Sequence, residues 1–156
     1  DGLAGLEFWM NAYAQGKNGE MFFGGTNGLT AFFPGRIRPN PHAPPVVLTG
    51  LSIRNKPYAA NPVTVSNLAL GHEDNVLELS FAALDFADPP RNLFSHKLEG
   101  FDPEFSPPAS NNTVTYTNLS PGQYRLRVRA CNNDGVWNDT GLTLAISVAP
   151  PFWETW

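Results

Sequence analysis

Apolar and polar residues alternate with a period of two along much of this chain. In NVLELSFAALDF (residues 75–86), Leu77, Leu79 and Phe81 fall on one side and Glu78 and Ser80 on the other. In NLFSHKLEG (92–100), Phe94, His96 and Leu98 share a face, and in TVTYTNL (113–119) Val114 and Tyr116 do. Such alternation predicts strands with one buried face. Further strands are expected at 46–55, weakly at 63–70, after Pro121-Gly122, and at 142–148. Each is bounded by Gly, Pro, Asn or Asp, and no helical period competes.

The first third reads differently. Residues 7–33, EFWMNAYAQGKNGEMFFGGTNGLTAFF, hold three aromatic-rich stretches separated by Asn18-Gly19 and Asn27-Gly28. Asn-Gly favours tight primed turns, so a short antiparallel meander is expected over roughly 7–14, 20–25 and 29–33. Three such strands cannot bury their aromatic faces alone. Residues 34–45, PGRIRPNPHAPP, carry five prolines in twelve positions and favour extended chain. The expected organisation is a β-meander segment at 1–35, a Pro-rich linker at 36–45, a β-sandwich at 46–149 and a terminal stub at 150–156. The fold class is all-β, an immunoglobulin/fibronectin-III-like β-sandwich preceded by a short β-meander.

The stretch NLSPGQYRLRVRACNNDGVW (118–137) places Tyr124, Leu126, Val128 and Ala130 on the inner face and Arg125, Arg127 and Arg129 on the outer. The simplest reading of the arginines is the wet side of a half-buried strand. The sharper one is a contact for acidic sugars or for a partner's carboxylates, which forked guanidiniums suit. Leu119-x-Pro121-x-x-Tyr124 matches a tyrosine corner, in which the phenol bonds back to nearby backbone. Asn133-Asp134-Gly135 provides the hairpin into the last strand.

Composition narrows the function classes. At 42% hydrophobic and 15% charged the chain can pack a core, and its net charge of −4 argues against a nucleic-acid binder. Cys131 is the single cysteine, so an internal disulfide or a cysteine zinc cluster is excluded. No apolar run reaches the ~18 residues of a membrane helix. The opening DGLAGLEFW has neither half of a signal peptide and reads as a piece of something longer.

Candidate chemistry is sparse. His42 lies in the Pro-rich segment, His72 in the polar turn Gly71-His72-Glu73-Asp74, and His96 faces inward. Adjacent turn residues rarely converge on one ion, so no metal site is expected, and no cofactor motif is present. Glu99 and Asp102 sit on one loop instead of facing across a cleft as a glycosidase would need. Asn111 and Asn138 begin N-x-T sequons. Trp9 and Tyr13, with Phe22 and Phe23, are candidates for stacking on a sugar or a partner, or blade-core residues.

Taken in order, LSFAALDF, P-x-N-x-F-x-H-K-L-E-G-F-D (90–102), Y-T-N-L-S-P-G-Q-Y (116–124), V-R-A-C-N-N-D-G-V-W-N (128–138) and PPFWETW resemble the three-Y (Y_Y_Y) domain. That domain follows β-propeller repeats in bacterial membrane-bound two-component regulators, and NGEMFFGGTNGLTAFFP is similar to their last propeller repeat, a resemblance that makes 1–35 a partial propeller blade. Phe94 and His96 stand where the family pattern has tyrosines, and Phe105 where it has a tryptophan; Tyr116 and Tyr124 remain. The resemblance implies a non-catalytic module between an extracytoplasmic ligand-sensing propeller and a transmembrane helix. That helix would lead to a histidine kinase or diguanylate cyclase. It further implies a periplasmic location in an inner-membrane protein and a homodimer, with PPFWETW approaching the membrane or, equally, Phe152 and Trp153 packing against the sandwich end. The alternative is a carbohydrate-binding or accessory module of a secreted enzyme, with a glycan ligand.

Overall fold

The computed structural model describes residues 3–58 and 60–151. The chain divides into two compact units, Asp1–Pro39 and Asn40–Trp156. The division falls within the Pro-rich stretch, four residues later than the expected end of the blade.

The first unit is a three-stranded antiparallel meander of β1 (Phe8–Gln15), β2 (Met21–Gly25) and β3 (Gly28–Phe32). Its turns differ from the expected primed type. Only the glycine of each Asn-Gly pair has positive φ, +86° at Gly19 and +125° at Gly28, whereas a type I′ turn needs two such residues. The residues that do form that pair are Arg54 and Asn55, at +53° and +60°. They join β4 (Val46–Ile53) to β5 (Lys56–Pro57), so the strand expected at 46–55 ends in a tight hairpin.

The second unit is a sandwich. One sheet has the order β5-β4-β7-β9, with β7 at Val76–Ala83 and β9 at Thr113–Thr117. The other has the order β6-β11-β10-β8: β6 is Asn67–Leu70, β8 Leu93–Glu99, β10 Gly122–Cys131 and β11 Trp137–Val148. The inward faces interdigitate in one core, with Leu79, Leu98, Leu126 and Leu144 fully buried. Each such leucine contributes about 1.5–3 kcal/mol relative to exposure. Leu48 and Leu51 both face the core despite odd spacing, because β4 shifts register between Leu48 and Gly50.

Two elements differ from the sequence expectation. The weak strand at 63–70 is a 3-10 turn at Pro62–Thr64 followed by short β6, which pairs parallel to β11. The last strand begins at Trp137, not at 142. A bulge between the Val128↔Leu142 and Ala130↔Asn138 pairs interrupts it. Gly141 sits there at φ +48°, and a Cβ would fall on the Val128 carbonyl. Three residues are absorbed, so alternation fails over 139–141 and the strand's first half is hidden from pattern analysis.

Candidate functional site

The outer face of β8, β10 and β11 carries the arginine row. Period-two alternation leaves Arg125 exposed and Arg127 and Arg129 half-buried. Antiparallel pairing sets Glu99 of β8 opposite Arg125. Glu99 bridges two guanidiniums, at 3.9 Å from Arg125 and 3.5 Å from Arg127. Arg129 meets Asp139 of the bulge at 3.4 Å and lies over two rings, Phe105 at 4.3 Å and Trp137 at 5.3 Å. Its cation is thus held between a loop and the bulged strand. Two carboxylates serve three arginines, and Arg125 is the most open of the row, with 64% of its side chain exposed. The surrounding hollow, lined by Glu99, Arg125, Arg127, Asp139, Thr140 and Thr143, is shallow. Such a surface can take an anionic side chain or sugar from solvent, but it encloses nothing.

At the corner into β10 the Tyr124 hydroxyl donates to the Ser120 carbonyl at 2.8 Å, and Leu119 and Tyr124 pack on the core edge. Pro121 precedes Gly122, whose φ of +158° is extended.

Sequence reasoning missed a cluster at the other edge of β8. The 100–112 loop runs back along this strand. Phe94 N donates to Ala109 O, His96 N to Ser106 Oγ and Leu98 N to Asp102 Oδ2, at 2.8, 3.0 and 2.8 Å. Alternate amides of an otherwise open edge are thereby satisfied. The Tyr116 hydroxyl donates to the same Asp102 oxygen at 3.1 Å, and Ser106 Oγ lies 3.2 Å from His96 Nδ1. Burial lowers the His96 pKa, and the nearby Asp102 charge works in the opposite direction. Burial, then the Asp102 charge and hydrogen bond, push Tyr116 well above its ordinary value. Serine, histidine and aspartate are gathered here, yet Ser106 belongs to the covering loop and its hydroxyl already accepts from the His96 backbone amide. The arrangement anchors that loop and presents no nucleophile to a cleft. Nothing in the sequence announced it, because alternation sorts residues between faces and does not tell which edge of a strand is left unpaired.

The other candidates do not converge. Trp9 and Tyr13 are 65% and 68% exposed, and β1 shifts register between Phe8 and Tyr13. Tyr13 lines a shallow hollow with Phe22, Gly24 and Leu29, of which Trp9 is not a part. Phe23 instead stacks with Phe32 at 5.8 Å and meets Phe8 edge-on at 6.1 Å. The expected four-aromatic group is therefore split, as neighbours on a strand must be. His42 is exposed, and His72 lies 3.8 Å from Glu73. Among the described residues no three His, Cys, Asp or Glu side chains cluster as a metal site requires, and no helix is long and apolar enough to cross a membrane. The expected membrane approach at Phe152–Trp156 lies outside the described residues.

Comparison with known proteins locates this architecture. The model of the Y_Y_Y domain matches residues 85–149. Histidine kinase P4 of Formosa agariphila is 27% identical over the whole chain, which spans 12% of that protein's length. Among solved structures, the extracellular domain of a protein described as the hybrid two-component system BT3049 of B. thetaiotaomicron is 29% identical. The match covers 92% of this chain and 20% of that one, with a TM-score of 0.76. The extracellular domain described as belonging to a one-component system, BT4673 of the same organism, is 25% identical. It covers 90% of this chain and 20% of its own, with a TM-score of 0.65. The Y_Y_Y match covers residues 85–149 and, across both its units, the chain is similar to the extracellular domains of bacterial two-component sensors.

Proposed function

We propose that the chain is a non-catalytic relay segment of a bacterial membrane sensor. It would pass ligand-driven motion of an upstream propeller to a transmembrane helix feeding a histidine kinase or a diguanylate cyclase. In this reading it lies in the periplasmic part of an inner-membrane protein and works as a homodimer, with Arg125 and Arg127 as candidate partner contacts. One observation carries the reading: similarity to sensor extracellular domains runs through both units, over 92% of the chain, while matching only a fifth of the larger domain. The closed core supports it, because close-packed interiors shift as units. Sedimentation of the chain over a concentration series tests the dimer. Concentration-dependent association weakened by Arg125→Glu is expected; a strict monomer at the highest soluble concentration contradicts it.

The exposed rings of Trp9 and Tyr13 favour a second reading, a glycan-binding module. Binding on a glycan array that is lost in Trp9→Ala would select it over the relay.

A further inference from the structure

We propose that residues 40–44 form a strut seated on the hairpin end of the sandwich, and that β11 carries displacement from this seat to the chain's exit at Ala149. The proposal rests on the relay reading and specifies where a sandwich of this kind receives its input.

Prolines 41, 44 and 45 have no N–H, so this extended segment cannot make a two-way strand ladder. Its carbonyls still need donors, and side-chain amides supply them. Asn132 is 1% exposed and uses its whole hydrogen-bonding capacity. Its Nδ2 donates to Asn40 O and His42 O, both at 2.8 Å, and its Oδ1 accepts from Asp134 N and Val136 N, both at 3.0 Å. Asn138 Nδ2 donates to Pro44 O at 3.0 Å. Carbonyls 40, 42 and 44, every second residue, are thus held by two asparagines of the β10–β11 hairpin region. From the strut, Asn40 N donates to Asp134 Oδ2, and Asn40 Nδ2 to the buried Asp85 Oδ2 at 2.7 Å. Pro44 is among the fully buried residues. A free linker would leave these groups to water; here the sandwich begins six residues before its first strand.

Asn132 and Asn138 flank the start of β11. That strand runs from Trp137 to Val148 and, with three residues taken up by the bulge, spans the length of its partner β10, roughly 30 Å at ~3.3 Å per residue. At its far end Ala149 N donates to Leu70 O at 2.9 Å. Seat and exit are therefore the two ends of one strand, bonded to β10 on both sides of the bulge and to β6 over Ala145–Val148. The ladder to β10 opens only at the bulge, where Gly141 N donates to Asn138 Oδ1 at 3.1 Å. The side chain that holds Pro44 also holds the bulge, so a pull on the strut reaches the one compliant point of β11.

Nitrogen-15 relaxation of the chain tests the strut. The His42 and Ala43 amides are expected to be as ordered as the strands, with order parameters near ~0.85. Asn132→Asp sets a carboxylate oxygen against two carbonyls and should drop both below ~0.6, with Leu126 and Leu144 unchanged. Asp134→Ala, at an exposed position, should lower them less; it decides the matter should Asn132→Asp not fold. Flexible His42 and Ala43 amides in the wild type, or no change in either variant, would overturn the strut. The same substitutions in the parent receptor should abolish its response. Loosened amides with an undiminished response would overturn transmission, and with it the relay reading, while leaving the strut in place.

Discussion

Gly141 shows how a single position enforces this geometry. At φ +48°, against the Val128 carbonyl, it tolerates no side chain. Gly135 has a similar φ of +78° but open space around it. Urea unfolding should therefore separate them: about 1 kcal/mol lost in Gly135→Ala and about 3 kcal/mol in Gly141→Ala. The arginines separate likewise. Arg125→Ala removes an exposed pair and should change stability by no more than about 0.5 kcal/mol. Arg129→Ala unstacks two rings and should cost about 1–2 kcal/mol. Tyr124→Phe deletes one hydrogen bond at the corner, for about 1 kcal/mol. Residue roles were legible where partners are local: Ser120, which accepts from Tyr124, lies four residues away. Asn132 was illegible because the carbonyls it holds are 90 and 92 residues distant.

At the scale of elements, the loop over β8 gives a prediction in pH. Burial lowers the His96 pKa below 6.5, so the unfolded chain binds the proton more readily. Stability should fall as pH drops below about 6.5 and level off once the folded-state pKa is passed. Asp102, Tyr116 and Ser106 are the groups facing the ring. His96→Gln should flatten that acid limb in thermal melts between pH 5 and 7; an unchanged limb would assign it elsewhere. Tyr116 is shifted upward, so its contribution persists below pH 10 and is lost as pH rises past its ordinary value. Strands with clean alternation, β7, β8 and β10, could be read directly from the chain. The start of β11 could not, because a bulge breaks the period. β6 could be read only weakly, within 63–70, because its alternation lasts four residues, with Leu68 and Leu70 turned inward.

For the molecule as a whole, the order of weak motifs said more than any one of them. Phe94, a position where a tyrosine hydroxyl is absent, keeps its bulk in the core. Packing survives such exchanges, so the architecture stays readable while the polar detail of a site does not. A docked Pro-rich segment was invisible for the same reason: its seat is made of side-chain amides spaced for a fold, not for a motif. On the proposed reading this chain transmits the signal and does not select it. Grafting it in place of the matching fifth of a related sensor, and measuring autophosphorylation against that sensor's own ligand, tests the claim directly. A transmitting segment should leave the chimaera responding to the host's ligand at the host's half-maximal concentration. A folded chimaera whose ligand preference changes with the graft, or which binds that ligand without any response, would contradict it.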